Sequence, residues 1–213
     1  VFTFRGGSAE LLLMNGYSKM LPCNLSGGRS ELMVLRPGEE ETERGMAVLY
    51  SYRNGQIVRS VETELSENTS RIRRIMTGKL QDQTPAVFVT SSSEENTIVT
   101  DIFAVKDGHF TNIAYSTEAD TSIRTLLNYY VYAEDIDSDG VMELPGLVTM
   151  KPVTVWRDSE QRFLVRWYAM DVDGWEIDKL YTFHNYIGGW YLQLDSQWAS
   201  RMTVEQEHGC FRF

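Results

Sequence analysis

Short apolar segments recur along the whole chain, and few of them have the 3.6-residue hydrophobic spacing of an amphipathic helix. They are rich in valine, isoleucine and aromatic residues and are bounded by glycine, asparagine, aspartate and serine: MAVLYSY, PAVFVTS, IVTDIFAV, LLNYYVYAE, FLVRWYAM, KLYTFHNY and GWYLQL. Segments of this length and composition are typical of strands. The pattern therefore predicts an all-β protein in which helix is nearly absent.

Three tight turns are predicted between these segments. Residues 54–55 are Asn-Gly, and residues 107–108 and 173–174 are both Asp-Gly. These dipeptides take the positive φ angles of a type I′ turn at low cost, so each one predicts a β-hairpin.

The hairpins belong to a longer repeat. Upstream of each hairpin, a polar loop precedes a further strand-like segment, and these loops begin at Asn24, Gly78 and Asp135. A repeat of roughly 55 residues with about four strands in each unit is typical of propeller blades. The alternative is an all-β protein whose hairpins are similar by coincidence.

We therefore expect one domain over residues 1–213, built as a propeller-like array of about four antiparallel four-stranded blades. Three repeat units are predicted near residues 20–75, 76–130 and 131–185, with residues 1–19 and 186–213 as partial units. The two ends close the array if their partial units complete one blade, which would leave no open sheet edge. An open stack of sheets and a fragment of a longer ring are the alternatives.

Charge and composition limit the classes of binding partner that the sequence supports. The chain has 20 basic and 30 acidic residues, for a net charge of −10. This balance argues against nucleic acid and anionic membrane surfaces as partners and suits divalent cations. No apolar run approaches the ~18 residues of a membrane span. The chain begins at Val1 rather than methionine, which indicates either a trimmed chain or a mature chain whose export signal has been removed. We expect an exported or surface-attached protein.

The two cysteines, Cys23 and Cys210, lie near opposite ends of the chain. They are either two unrelated thiols or, if the array closes and the protein is exported, one disulfide with Cα atoms within ~7 Å. Neither they nor the three scattered histidines have the spacing of a zinc site.

One acidic loop is the clearest candidate for a functional site in the sequence. In AEDIDSDGVMELPG, residues 133–146, the carboxylates Asp135, Asp137 and Asp139 alternate, Gly140 allows a sharp turn and Glu143 follows. Calcium prefers six to eight oxygen ligands at short range, and crowded carboxylates repel one another unless a cation offsets them. An EF-hand is excluded because the twelfth loop position holds glycine and no helical pattern flanks the loop. The alternative is an acidic surface turn with no bound ion.

The pattern D-x-D-x-D-G-x-x-E resembles the calcium loops of FG-GAP and VCBS repeats, which form the blades of integrin-α-like propellers. The resemblance implies strands on both sides of the loop. It also implies ligation by Asp135, Asp137, Asp139, Glu143 and the backbone carbonyl of Val141. The family usually has aspartate rather than glutamate at the ninth position.

The two other loops lack this carboxylate set. NLSGGRSEL offers Asn24, Ser26 and Glu31 and is one residue shorter, and GKLQDQTPA keeps only Asp82. We interpret both as degenerate loops that keep the turn without a metal.

No nucleophile elbow, P-loop or metalloprotease helix occurs in the sequence. Carboxylates that pair only in space would leave no such motif, so a glycosidase stays open. The five tryptophans lie in the last third of the chain: Trp156, Trp167, Trp175, Trp190 and Trp198. Trp167 and Trp190 are predicted to fill the core, whereas Trp175, directly after a turn, is the best candidate for an exposed platform that binds a sugar or peptide.

We therefore expect a non-enzymatic binding or scaffolding domain outside the cytoplasm, with one structural calcium loop. The first alternative is a carbohydrate-active enzyme or glycan-binding module that uses the acidic and tryptophan-rich surface. The second alternative is a ligand-free accessory domain of a longer surface protein.

Overall fold

The structure is a computed structural model that describes residues 1–11, 14, 16–28, 30–36, 44–66, 71–92, 97–151, 162–185, 187–199, 201–207 and 210–213. Nearly all regular structure in these residues is β-strand. Helix is limited to α1 (Ser196–Ala199) and one 3-10 turn (Ile123–Thr125). The predicted all-β class is therefore confirmed. Within this part of the chain, neither helical segment has the length or apolar character needed to span a bilayer.

Sixteen strands are found in the described residues, and every strand pair is antiparallel. They are β1 (Phe2–Arg5), β2 (Ser8–Leu11), β3 (Lys19–Cys23), β4 (Glu31–Arg36), β5 (Met46–Arg53), β6 (Gln56–Glu64), β7 (Arg71–Lys79), β8 (Pro85–Ser92), β9 (Ile98–Lys106), β10 (His109–Asn112), β11 (Glu143–Thr149), β12 (Phe163–Met170), β13 (Glu176–Asn185), β14 (Trp190–Leu194), β15 (Glu205–Glu207) and β16 (Cys210–Arg212).

Three four-stranded sheets follow one another along the chain, each with neighbouring strands in sequence order. The first sheet contains β3 to β6, the second β7 to β10 and the third β11 to β14. Two further sheets have two strands each, β1 with β2 and β15 with β16. The repeated meander is the arrangement that the hydrophobic pattern indicated.

Strands bracket all three predicted turns, as expected. The turn residues of the first two hairpins, at 54–55 and 107–108, have positive φ angles between 50° and 86°. In the third turn only Gly174 is in this left-handed region, with φ of 85°. There the carboxylate of Asp171 accepts hydrogen bonds from the backbone N–H groups of Asp173 and Trp175, both at 2.9 Å, in addition to the backbone hydrogen bonds that close the turn.

The central sheet packs on both of its neighbours. Successive side chains of a strand point to opposite faces, so a strand buried on both faces is apolar throughout. In β8, Val87 packs with Met33 and Leu49 of the first sheet, whereas Phe88 packs with Tyr168 of the third. The PAVFVTS segment is apolar without alternation for this reason.

Hydrogen bonds and packing join the second sheet to the third directly beside the acidic loop. The N–H group of Met142 donates to the carbonyl of Lys79 at 2.9 Å. Gly78 leaves the space for this contact, because a Cβ there would lie 2.1 Å from Met142 Cγ. The loop that ends at Met142 is thus attached to the neighbouring sheet.

Two predictions about the chain ends are corrected. The strand β14 belongs to the third sheet and not to a separate partial unit beginning at residue 186. The two chain ends form separate two-stranded sheets in the described residues rather than one shared blade. Phe211 of β16 packs against Phe183 of the third sheet at 5.6 Å between ring centroids, so the last two strands pack against that sheet.

The expected strand over LLNYYVYAE is also absent. This segment makes only isolated bridges, from Leu127 to Ile98 and from Glu134 to Glu143. The first bridge uses the backbone of Leu127 to pair with the second sheet, while the second starts the third sheet. A segment that passes from one sheet to the next cannot pair along its whole length with either.

The cysteines are two separate free thiols, Cys23 buried and Cys210 exposed. Cys23 packs in the cluster between the first two sheets, whereas Cys210 begins β16, beside the third. The conditional disulfide is therefore not formed, because the closure that would bring the ends together is not seen in the described residues.

Candidate metal centre

The acidic loop is wound tightly by its own backbone. The carboxylate of Asp135 accepts from the N–H groups of Asp139 and Gly140, each at 3.0 Å, and Asp137 accepts from Asp139 at 3.2 Å. Positive φ angles at Ser138 (62°) and Gly140 (84°) allow the chain to fold back on itself. The sequence predicted this turn at Gly140.

Three carboxylates meet inside this turn. Oxygen atoms of Asp135, Asp137 and Glu143 lie within 4.8 Å of one another. Glu143 is the first residue of β11 and is held there by the paired backbone bridge to Glu134, at 2.9 and 3.0 Å. Strand formation thus fixes the glutamate beneath the loop that carries the two aspartates.

Glu143 is the buried member of the group, with no exposed surface. Its Oε2 accepts a hydrogen bond from the N–H group of Ile136 at 3.1 Å. Its Oε1 is buried and has no hydrogen-bond partner among the described residues. The pKa of Glu143 is raised to about 7, mainly by burial and also by the nearby charges of Asp137 and Asp139, against the opposing effect of the Ile136 hydrogen bond. A buried carboxylate oxygen without a donor is costly unless a cation or proton meets it.

Asp139 lies outside this three-carboxylate group. Its Oδ2 accepts from Lys179 Nζ at 2.8 Å, and its Oδ1 accepts from the N–H group of Val141, also at 2.8 Å. The hydrogen bond from Lys179 lowers the pKa of Asp139. The expectation that the four carboxylates raise one another's pKa values is therefore wrong for Asp139, because a lysine from β13 compensates its charge. Ligation of an ion by Asp139 stays a prediction. Ligation by the carbonyl of Val141 stays a prediction.

The first sheet contains the same construction without the aspartates. Glu31, the first residue of β4, is 5% exposed and lies under the loop that begins at Asn24. Its Oε2 accepts from the N–H group of Leu25, the second loop residue, at 2.7 Å. Ile136 is the second residue of the acidic loop and makes the equivalent bond to Glu143.

The two loops differ at their third residue. In the first loop this residue is Ser26, whose hydroxyl donates to Glu31 Oε1 at 2.5 Å. In the acidic loop it is Asp137, which as a carboxylate has no proton to donate. The oxygen that Ser26 satisfies in the first sheet is the one left without a partner in Glu143. The acidic loop therefore lacks the hydroxyl donor that satisfies the corresponding glutamate of the first sheet.

The loop between β7 and β8 is closed in a third way. Backbone bonds link Leu80 to Thr84 at 2.9 Å, and Asp82 caps the N–H group of Thr84 at 3.2 Å. Pro85 begins the following strand, so no glutamate lies beneath this loop. The sequence distinguishes the acidic loop from these two, but the burial of Glu143 and the approach of Lys179 depend on residues distant in sequence and were not predicted.

Trp175 lies apart on the hairpin turn of the third sheet and is 74% exposed. The turn is held by Lys106, which pairs with Asp173 at 2.9 Å, and by Arg124, which donates to the carbonyl of Gly174 at 2.6 Å. An exposed indole on a fixed turn is able to stack on a sugar ring or a peptide.

The remaining tryptophans differ from one another in how exposed they are. Trp167 is buried at 2% exposure, as expected for the core, and donates to Thr182 Oγ1 at 2.8 Å. The core prediction for Trp190 is wrong: it lies on the edge strand β14 and is 40% exposed. Trp198 is 53% exposed, and Trp156 lies outside the described residues.

A cleft of about 340 Å³ between β6 and β10 is lined by Glu62 and Glu64. Both carboxylates form ion pairs: Glu62 with Arg36 and Arg59, and Glu64 with Arg44. These pairs link strands and loops at the edge of the first sheet. Their evident role is to hold that edge.

Comparison with known proteins leaves the site to be judged on its own geometry. No protein-family model matches the chain, and neither a curated protein nor a solved structure matches it at a significant level.

Proposed function

We propose that this chain is a non-enzymatic binding or scaffolding domain, acting outside the cytoplasm, whose acidic loop binds one structural calcium ion. One observation carries the proposal: the buried Glu143 Oε1 has no partner among the described residues and lies in a group with two aspartate carboxylates. A cation among these three side chains would satisfy that oxygen and offset the repulsion among them.

The chemistry of the group favours calcium among the common metals. All three side chains offer carboxylate oxygens, which suit hard cations, and neither histidine nor cysteine is part of the group. Magnesium requires near-ideal octahedral geometry and usually keeps several waters, whereas calcium accepts irregular sets of six to eight oxygens. Backbone carbonyls and water would complete the shell, with Val141 as the predicted carbonyl ligand.

The position of the loop supports a structural role for the ion. The loop lies between the Glu134–Glu143 bridge, which starts the third sheet, and the Met142–Lys79 hydrogen bond to the second sheet. An ion that fixes the loop would therefore stabilise the junction between two sheets. We extend the proposal to a propeller-like packing of the three sheets.

The proposed location follows from the same chemistry. Calcium sites of extracellular modules have dissociation constants of about 10⁻⁴–10⁻³ M, which match the calcium available outside cells. A site with three carboxylates and a neighbouring lysine fits this weak class better than the tight class of cytosolic buffers.

Calorimetric titration and thermal unfolding test the proposal. Calcium should bind at one site and raise the melting temperature, whereas magnesium at the same concentration should have a much smaller effect. Asp137→Asn should abolish both responses. Asp107→Asn is the matched control, because it makes the same chemical change at an exposed turn whose positive φ asparagine also adopts.

The absence of calcium binding to the unmutated protein would refute the proposal. Equal responses of the Asp137 and Asp107 variants would refute this loop as the site.

The glycan-binding alternative has one observation in its favour, the exposed indole of Trp175 on its fixed turn. A glycan array combined with a hydrolysis assay tests it, with Trp175→Ala compared with Trp198→Ala, another exposed tryptophan. Binding that only the Trp175 variant loses would support a glycan module, and hydrolysis would support an enzyme. A protein without calcium or glycan response would be the ligand-free accessory domain.

A further inference from the structure

Lys179 reaches the acidic loop because a β-bulge interrupts the pairing of β12 with β13. The register shifts between Trp167 and Tyr168, whose partners are Leu180 and Asp178, so Lys179 is the extra residue on β13. A bulge of this kind bends the strand and redirects the side chain of the unpaired residue. The Lys179 side chain is only 17% exposed although it carries a charge.

The carboxylate of Asp139 is fully engaged by this lysine and by the loop itself. Lys179 Nζ lies 2.8 Å from Asp139 Oδ2, and the N–H group of Val141 donates to Oδ1. Lysine and aspartate both carry a charge at neutral pH, and this ion pair attaches the loop to β13.

The first sheet has a bulge at the equivalent place, but it carries a neutral residue. The register of β5 and β6 shifts between Leu49 and Tyr50, which leaves Ser60 as the extra residue. Ser60 shares a hydrogen bond of 2.6 Å with Ser51. A lysine thus occurs at the bulge of the sheet whose loop is acidic, and a serine at the bulge of the sheet whose loop has no aspartate.

We propose that Lys179 keeps Asp139 out of the ligand set, so that the ion is held by Asp135, Asp137 and Glu143 and its affinity is set by Lys179. This inference rests on the proposed calcium site and specifies how that site is tuned. The positive charge of the lysine opposes a divalent cation nearby, and its bond to Asp139 removes one carboxylate from competition. Both effects weaken binding, which suits a site that is filled outside cells.

Calorimetric titration of calcium into the unmutated protein and four variants tests the inference. Lys179→Met should bind calcium roughly tenfold more tightly, because a repelling charge is removed and Asp139 is released. Asp139→Asn should bind about tenfold more weakly, because Lys179 then faces the ion without its partner. The double variant should return to within about threefold of the unmutated protein, since it loses both charges together. Lys106→Met, which removes the other lysine–aspartate pair, should leave the affinity unchanged.

The double variant is decisive. If Asp139 ligates the ion, the double variant should bind as weakly as Asp139→Asn, and the inference is overturned while the calcium site stands. An affinity of Lys179→Met no higher than that of the unmutated protein also overturns it. The calcium affinity of Lys179→Gln, a second neutral replacement of the lysine, is measured in the same way. Circular dichroism in chelator checks that each variant is folded. If the unmutated protein does not bind calcium, the proposed function and this inference both fail.

Discussion

Replacing Glu143 by glutamine should change stability in opposite directions with and without calcium. In chelator, the carboxylate is buried with Oε1 unpartnered, and burial has raised its pKa from 4.5 to about 7. Glutamine keeps an oxygen for the Ile136 N–H group and removes the charge. With saturating calcium the same charge becomes a ligand, so its removal should destabilise the protein.

The magnitude follows from proton linkage. A group whose pKa is higher in the folded than in the unfolded chain stabilises the fold while it is protonated. That contribution is full below about pH 4.5 and is lost as the pH rises to about 7. A shift of this size corresponds to roughly 3 kcal/mol at most, of which solvent and relaxation leave an estimated 1–3 kcal/mol. For a chain of this size this is about 2–10 °C in melting temperature.

Thermal unfolding at several pH values, in chelator and in calcium, is the assay. At pH 8 in chelator, Glu143→Gln should melt about 2–10 °C above the unmutated protein, and the difference should shrink towards pH 5. In saturating calcium the order should reverse. Glu31→Gln is the matched control: Glu31 accepts three hydrogen bonds and has no unpartnered oxygen, so its loss should destabilise equally in both conditions.

A decrease in melting temperature in chelator at pH 8 would refute this reasoning, because it would mean that the Glu143 charge is already compensated. A difference that does not change with pH between 5 and 8 would equally contradict it.

Two further substitutions test the internal repeat and the sheet junction. Asp137→Ser should abolish calcium binding. In chelator it should melt at a higher temperature than Asp137→Ala, because the serine hydroxyl can donate to the buried Glu143 as Ser26 donates to Glu31 in the first loop. Calcium titration and thermal unfolding of both variants measure this, and equal melting temperatures of the two would count against it. Gly78→Ala should lower the free energy of unfolding in urea by about 1–3 kcal/mol, because its Cβ would lie 2.1 Å from Met142 Cγ. The control Gly146→Ala, whose Cβ would have its nearest atom at 3.6 Å, should lower it less. Similar decreases for both variants would show that the junction repacks freely.

The hairpins and the position of the acidic loop could be predicted from the sequence because their signals are local. The turns at 54–55 and 107–108 depend on residues that tolerate positive φ, and the strands around them depend on β-branched and aromatic residues. The third turn shows where local signals are insufficient. Asp173 has no positive φ, and hydrogen bonds to the side chain of Asp171 supplement the backbone bonds that close that turn.

The candidate site could be predicted only in part. The alternating aspartates are contiguous in sequence, so their meeting in one turn follows from local geometry, and Glu143 follows from the strand that the loop precedes. The departure of Asp139 from the group depends on Lys179, which is distant in sequence and is brought in by a bulge. A bulge depends on how two strands pair, and no residue in or beside the LYTFHNY segment predicts the bulge.

The chain by itself thus determined the class of fold, the repeated meander and the loop where carboxylates gather, because each depends on residues close together in sequence. Tertiary structure decided which carboxylates meet, which oxygen is left without a donor and which lysine compensates Asp139. It also decided that the ends form separate small sheets, so that Cys23 and Cys210 are not bridged. These outcomes depend on the register and stacking of strands, which arise from the summed packing of many weak contacts rather than from any single motif.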